Sequence, residues 1–464
     1  MASVISRREA IRLGIVGVGA AALAACGATP TPQVVKETVV VEQTVEKVIT
    51  ATAPAVTGPV TIRFTHVADP GELEIMQASI ADFESRTPDV KVVAELVPED
   101  GMDEKITTMV AGGAAPDVVY VHPSFVPLWA SQEVLLPQNE LADGDSEFGA
   151  DDFFPETVGY FVFQGKTYGY PYYSGPCLTY FNVDLFDAAG VPYPTEAAQG
   201  FETDADKWTW EALLEAALKL TTGEGASKVF GYWGTSPSLH WFNIAVWGYG
   251  GEVWDKEMKK CMLSEPEAVE AVQFQLDLYS KYNVAPRPEQ AEGMPGGFSG
   301  GRIAMVYGIR ATVPGLKGVE FKIGSAPIPK GPKGRFCRNG PNAAGIIKQS
   351  KYVDAAWALC KYMAGPKPGD LGGQQFQFAQ QRAIPSRKSL FDSEVFINNL
   401  LPWESLEVYR NAAEKVRAFP LPARYGEIQR AWREHWDLML LGQESVKDGT
   451  AAACEAINQL LTQS

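Results

Sequence analysis

The chain reads as an α/β protein of two lobes, each a sheet flanked by helices, with a ligand cleft between them. Three observations predict this. Once a leader and a linker are set aside, about 400 of the 464 residues remain, enough for two substantial cores. The body opens with strand and helix periodicities in strict alternation, which is the pattern of a parallel sheet with right-handed crossovers. A second round of strand and helix signals then follows without repeating the first, as two separate units require.

In chain order, Ser6-Arg7-Arg8 precedes an apolar run from Leu13 to Ala25 and then Cys26. That run is too short for a comfortable membrane span, so residues 1–25 read as an export signal, with the adjacent arginines suggesting the twin-arginine route. Leu23-Ala24-Ala25-Cys26 resembles the lipobox of bacterial lipoproteins, which makes Cys26 the expected lipid-bearing N-terminus and places the protein on the extracytoplasmic face of the membrane. Loss of Arg7, Arg8, Arg12 and Glu9 takes the net charge from −16 to −18. So acidic a surface, with no dense Lys/Arg cluster, argues against nucleic acid as a partner. Residues 26–58 are rich in Thr, Val, Pro and Glu and hold no aromatic residue, so they read as a flexible tether.

The body begins at residue 59. Val60, Ile62 and Phe64 alternate as in a strand, and Leu73, Met76, Ile80 and Phe83 then recur at helical spacing up to Pro88. Val90 to Val97 reads as a second strand, Ile106, Met109 and Val110 as a helix face stopped by Gly112-Gly113, and Asp117 to His122 as a third strand. After Tyr168-Gly-Tyr-Pro-Tyr-Tyr173 the segment Cys177 to Phe181 is strand-like, and Trp210, Leu213, Leu214, Ala217 and Leu218 line a helix. Ser264-Glu-Pro-Glu267 has the capping-box pattern ahead of Val269, Val272, Leu276 and Tyr279, and the last helices run from Ile428 to Leu441 and Ala451 to Leu461. Beyond Cys26 there are five cysteines, an odd number that allows at most two disulfides, with a connectivity that spacing does not reveal.

Catalytic patterns are weak. Gly17-Val-Gly19-Ala-Ala-Ala22 matches a dinucleotide fingerprint but lies inside the leader and follows no strand. Gly297-Phe-Ser299-Gly-Gly301 matches a nucleophile elbow with His435 downstream, yet Ser299 precedes a strand-like run instead of following one. The segment 223–228 lacks P-loop spacing. The four histidines show no metal-binding spacing, although His66 and His122 both follow strand ends where crevices form. No catalytic residue, metal or cofactor is assigned. Paired carboxylates of a glycoside hydrolase remain the rival enzymatic reading.

Fifty residues are Phe, Trp or Tyr, and Tyr172, Tyr173, Trp233, Trp241, Phe242, Trp247 and Tyr249 cluster where the chain reads as loop or strand end. Sugars lay their C–H faces on such rings and their hydroxyls on polar groups at the ring edges.

Taken in order, several motifs make the chain similar to the family 1 extracellular solute-binding proteins, the carbohydrate receptors of ABC importers related to maltose-binding protein. They are Phe83-Glu-Ser-Arg-Thr-Pro-Asp-Val-Lys-Val92, Ala111-Gly-Gly-Ala-Ala-Pro-Asp117, Tyr168-Gly-Tyr-Pro171, Tyr180 to Gly190 before Trp208-Thr-Trp-Glu-Ala-Leu213, Gly300-Gly-Arg-Ile-Ala-Met305, Ala326-Pro-Ile-Pro329 and Ile384-Pro-Ser-Arg387.

The resemblance implies a periplasmic-binding-protein-like fold with discontinuous lobes, 59–171 plus 331–370 and 172–330 plus 371–464, that close on a hinge. It implies a monomer that does no chemistry, captures a sugar or oligosaccharide, and hands it to a transmembrane permease; a peptide, polyol or acidic sugar is the alternative solute. Carried over position by position, the ligand-binding residues are His66, Tyr120 and His122 at strand ends of the first lobe, Tyr172 and Tyr173 at the first crossover, and Trp241 and Trp247 in an aromatic loop. Tyr307 follows the Ala-Met strand, Asn339 the second crossover, and Tyr425 beside Arg424 takes the late stacking position. A stacking tryptophan common in the family is missing where Arg310 stands, and Arg310 is expected to supply a forked donor there instead.

Overall fold

The structure is a computed structural model that describes residues 59–462 apart from 68–69, 99–100, 195–206, 235–236, 293, 295 and 423. The expected export signal, Cys26 and the tether lie outside the described residues.

The first sheet has six strands. β1 (Val60–His66), β2 (Val90–Leu96), β3 (Val118–Val121), β4 (Leu135–Leu136) and β9 (Asn342–Ile347) are ordered β2-β1-β3-β9-β4, with β5 (Tyr170–Tyr173) also paired to β9. β1 pairs in parallel with β2 from Val60↔Val90 to His66↔Leu96, and in parallel with β3 on its other edge. The helices α1 (Pro70–Arg86) and α2 (Met102–Ala111) make the two crossovers. All four residues of β3 are buried, as expected for a central strand covered on both faces. β9 returns from far along the chain and runs antiparallel to β3, Ala343 facing Val121.

The second sheet is antiparallel and short: β6 (Leu178–Asn182) lies between β7 (Met305–Gly308) and β8 (Ile323–Pro327). Helices α3 (Trp210–Leu220), α4 (Leu239–Tyr249), α5 (Pro266–Ser280), α8 (Tyr425–Leu440) and α9 (Val446–Leu461) build the rest of this half, with α4 against α5 and α8 against α9. Thr209 caps α3 by accepting from the Ala212 N–H. The capping box expected at Ser264 is absent: α5 starts at Pro266, and Glu265 is its N-cap without a side-chain bond. The fixed φ of Pro266, and its missing N–H, make it the natural first residue of the helix and move the start one position on.

The aromatic segment expected to be a loop is the helix α4, buried along nearly its whole length and ended by Gly250 at φ 91°. With apolar residues on every face it carries no amphipathic period, and so no helical signature in the sequence. Cys261 is bonded to Cys454, tying the turn before α5 to α9, while Cys177, Cys337 and Cys360 are buried thiols.

The chain passes between the sheets at Ser174–Cys177, where β5 leads to β6, and again at 328–341, between β8 and β9. These two passes run side by side: Pro176 bridges to Asn339, the Cys177 N–H donates to the Arg338 carbonyl at 3.2 Å, and the Gly340 N–H to that of Gly175 at 3.1 Å. The second pass hugs the second half further than residue 331, because Cys337 still bridges to Val416. The third pass also comes later than the expected boundary after residue 370. After α6 (Val353–Met363), helix α7 (Gln374–Ala379) packs on α1 and β5, and the chain crosses at Ile384, whose N–H donates to the Ser174 carbonyl at 2.9 Å. Arg387 remains anchored to the Phe148 and Gly149 carbonyls of the first half.

Candidate functional site

β1 lies between β2 and β3, so the crossover from β1 to β2 and the one from β2 on to β3 run in opposite directions across the sheet. In open α/β sheets a crevice forms beyond the carboxyl ends of the strands at such a switch point. His66 ends β1 and His122 follows β3. His66 is buried, with its ring 5.3 Å from that of Phe64 and Nδ1 without a partner. His122 caps the 3-10 turn Pro123–Phe125: its Nδ1 accepts from the Ser124 N–H at 3.3 Å and lies 2.7 Å from Ser124 Oγ.

His122 meets the opposite half directly. Its ring centroid is 6.1 Å from that of His240 on α4, and His240 is also 6.1 Å from Tyr160 of the first half. On its far side His240 stacks on Phe419, with 6.0 Å between centroids and 12° between planes. The His240 backbone N–H donates to Tyr425 Oη at 3.0 Å, and that hydroxyl donates to Gln429 at 3.1 Å. Tyr160 spans both halves: its hydroxyl donates to the Arg417 carbonyl at 3.1 Å and accepts from the Asn339 N–H at 3.0 Å. Pro123, Val126, Tyr160, Phe163, Phe419 and Leu421 line a groove of about 140 Å³ along this seam.

Behind the seam, Trp241 packs edge-on to Tyr307, 5.0 Å away, and both border an apolar cavity of about 480 Å³ that reaches Trp233 and Trp436. The guanidinium of Arg338 lies over the Trp241 ring, 3.9 Å from its centroid. Arg338 is 3% exposed; Nε and Nη2 both donate to the Asn339 carbonyl, and Nη1 has no partner. Gly340 leaves room for it, since a Cβ there would stand 2.7 Å from Arg338 Nη2. Tyr307 Oη donates to Cys177 Sγ at 2.8 Å, and the Cys177 N–H points at Cys337 Sγ at 3.1 Å, so two thiols and a phenol floor the site.

The electrostatics follow from burial around one cation. Desolvation pushes the His122 pKa down to about 4, and the Arg338 charge adds to the shift. His240 is lowered well below the usual imidazole value by desolvation, then by Arg338 and His122. Desolvation raises the phenols of Tyr160 and Tyr307. Desolvation, which would raise the Cys177 thiol, is outweighed by its contact with Cys337, the Arg338 charge and the Tyr307 hydroxyl, so its pKa is lowered. At neutral pH the site therefore holds two uncharged imidazoles, neutral phenols and the Arg338 cation beside that thiol.

Of the residues expected from the sequence, His122, Trp241, Tyr307, Asn339 and Tyr425 come together here. The Asn339 amide is fully used in joining the passes: Nδ2 donates to Thr157 Oγ1 and Ser174 Oγ, and Oδ1 accepts from the Gly175 N–H at 2.7 Å. Tyr120 sits within β3 with its hydroxyl on Asn342. Tyr172 and Tyr173 are packed inside β5. Trp247 turns to a different cavity, with Nε1 on Glu252 and one face under Arg417. Arg424 pairs with Glu427 on the first turn of α8.

Arg310 departs most from expectation. It is fully buried in an ion pair with Glu404, Nε to Oε1 2.8 Å, and donates to the Ala383 and Asn399 carbonyls, so its fork is spent inside the protein. Sequence reasoning passed over Tyr160, His240, Arg338 and Phe419. His240 and Arg338 each directly precede a residue that was singled out.

Ser299 lies in a turn with its hydroxyl on the Gly296 carbonyl, and His435 is engaged with Glu444, so the elbow pattern has no histidine partner. Among the described residues no three His, Cys, Asp or Glu side chains converge as a metal ion requires.

The family described as bacterial extracellular solute-binding protein matches residues 68–370. A putative binding protein of Brucella abortus is 26% identical over 375 residues, 78% of this chain and 82% of its own length. The diacetylchitobiose binding protein of Streptomyces coelicolor is 27% identical over 320 residues, 65% of this chain and 68% of that one. Among solved structures, an ABC substrate-binding protein from Listeria monocytogenes in complex with cycloalternan superposes with a TM-score of 0.75 at 22% identity, covering 87% of this chain and 99% of that one. The GacH receptor of Streptomyces glaucescens, solved unliganded and with acarbose, gives 0.71 at 23% identity over 87% and 98%.

Proposed function

The chain belongs to the bacterial extracellular solute-binding proteins, and on that premise we propose that it captures a sugar or oligosaccharide in the seam between its lobes and delivers it to the permease of an ABC importer. It is an extracytoplasmic, non-enzymatic protein of two α/β lobes. The observation that carries the reading is the meeting of His122 and Tyr160 from one lobe with His240 and Trp241 from the other, beside two antiparallel chain passes that can act as a hinge.

A ligand that touches both lobes holds the closed form, because only that form gives it both sets of contacts. Trp241, Tyr307 and Phe419 offer apolar surface for a sugar face; His122, His240 and Tyr160 offer hydroxyl partners. Support for a carbohydrate comes also from a relative described as a diacetylchitobiose binding protein and from a structural neighbour solved with cycloalternan. The leader and Cys26 support a lipid anchor on the outer face of the membrane.

Incubation of the full-length protein with mixed oligosaccharides, followed by recovery of bound material and a thermal-shift series, tests this. Unaltered sugar recovered from the protein, with a melting temperature that rises with ligand concentration, is the expected result. Failure of every mono- and oligosaccharide to bind would end the carbohydrate reading. Radiolabelled fatty acid should enter the wild type and not Cys26→Ser; equal labelling of the two overturns the anchor.

A further inference from the structure

A buried guanidinium normally has a carboxylate to face. Removing an unpaired charge from water costs several kcal/mol, so such groups are paired or put to use. Two other deeply buried arginines here obey the rule: Arg310 faces Glu404, and Arg387 lies 3.4 Å from Asp152 while donating to three backbone carbonyls.

Arg338 does not. It is as buried as they are, forms no salt bridge among the described residues, and sends two of its nitrogens to a single carbonyl while Nη1 has no partner. Its neighbours include no carboxylate: Trp241 lies below, Tyr160 and Tyr307 beside it, with the Cys337 thiol, the two imidazoles, and the Cys177 thiol, whose pKa is lowered in part by the Arg338 charge. The protein carries 56 acidic residues, so the lack of one here is a property of the place and not of the composition. His240, whose ring borders the same space, also has an unpaired atom, Nε2. Both groups sit where the lobes meet, and Gly340 keeps open the room that the guanidinium occupies.

We propose that the solute carries an anionic oxygen, a carboxylate or a phosphate group on a sugar, and that this oxygen completes Arg338 through Nη1, with His240 Nε2 beside it. The inference rests on the proposed capture of a carbohydrate in the seam and adds the ligand's charge. An anion supplies what the protein leaves out: a charge-assisted partner for the guanidinium in a site dry enough to make the bond strong. A neutral sugar would leave the positive charge uncompensated after the lobes close on it. Trp241 then serves twice, holding the guanidinium over its ring and lining the apolar cavity.

The test is isothermal titration of the full-length protein with matched neutral and anionic ligands. The pairs are cellobiose against cellobiouronic acid, digalactose against digalacturonate, and glucose against glucose 6-phosphate. The expected result is that at least one anionic member binds about tenfold or more tighter than its neutral partner; which pair responds tells carboxylate from phosphate. Arg338→Gln should abolish the preference, and Arg338→Lys, which keeps the charge but not the fork, should retain part of it. Should Arg338→Gln fail to fold, the wild-type comparison decides alone. Neutral members binding as well as or better than the anionic ones overturn the inference and leave the carbohydrate reading standing. No binding by any sugar of either charge defeats both.

Discussion

Arg310 and Arg338 are both buried arginines near the passes between the sheets, and they differ in everything that surrounds them. Arg310 is held by Glu404, by two carbonyls, and by the rings of Phe396 and Tyr409 at 5.2 and 5.8 Å. Tyr409 in turn donates to Glu404 at 2.6 Å. Every donor and charge in that nest is answered, so it works as a structural tie between β7, the segment after Ala383 and the turn at Glu404. Arg338 is answered by one carbonyl, one ring and the nearby Cys177 thiol, and by no carboxylate among the described residues. Two residues of the same type, equally dry, thus separate structure from function by whether the protein itself supplies the counter-charge.

The sharpest way to break the contrast is to unbalance the Arg310 nest. Glu404→Gln leaves a buried cation without its partner and should cost about 3–5 kcal/mol, read as a lower urea midpoint with an unchanged slope. A loss below about 1 kcal/mol would mean that Arg310 is no more structural than Arg338.

Next in size is the response to acid. The folded-state pKa of His122 is depressed to about 4 and that of His240 is lowered also, by burial and then by Arg338. Between the unfolded value near 6.5 and the folded value, the unfolded chain binds protons that the folded one refuses. Stability is therefore present above pH 6.5 and is lost as pH falls toward 4, by about 3 kcal/mol for His122 alone. Thermal melts from pH 7 to 4.5 on the wild type and His122→Gln check this; a variant as acid-sensitive as the parent removes His122 from the account.

A smaller effect is expected at Tyr425→Phe, which deletes the hydroxyl that accepts from the His240 N–H and donates to Gln429. About 1 kcal/mol of stability should go with it. No change in the melting temperature would show that His240 is held in place by Phe419 alone.

Smallest of all is the effect of Arg338→Met on the stability of the free protein. Removing a charge that has no partner should leave stability within about 1 kcal/mol of the wild type, or raise it, in contrast to Glu404→Gln. A fall of several kcal/mol would make Arg338 a second structural tie.

The opening of the first lobe was legible because β1, β2 and the helices between them keep solvent-facing residues among buried ones, so their periods of 2 and 3.6 survive in the sequence, while β3, buried throughout, shows as a short continuous apolar run. β1 through β3 lie where the alternation of Val60, Ile62 and Phe64 and the runs at 90–97 and 117–122 place them. Helix α4 was illegible for the opposite reason: buried on all sides, it has no polar face to set a period, and its residues read as a loop. The boundary at 370, which the family resemblance implied, falls short of the crossing at Ile384, because the chain after it stays packed on the first half. A Cβ on Gly372 would stand 2.1 Å from the Tyr362 carbonyl. His240 and Arg338 went unnoticed beside Trp241 and Asn339, which were singled out and lie in the same cluster. Neighbours in a chain differ in direction, and direction is set by the helix or bridge that holds them.

What the sequence determined by itself is the class of the protein: export, two α/β lobes, and motifs whose order marks the family, all of them local or sequential properties. What only the tertiary structure decided is which charged groups are spent on the fold and which are left for a ligand. Arg310 and Glu404 are 94 positions apart, and nothing in either segment announces the other. Nor does anything near residue 338 announce that no carboxylate will arrive. Compensation of a buried charge is a property of what folding brings within a few ångströms, and it becomes visible only there.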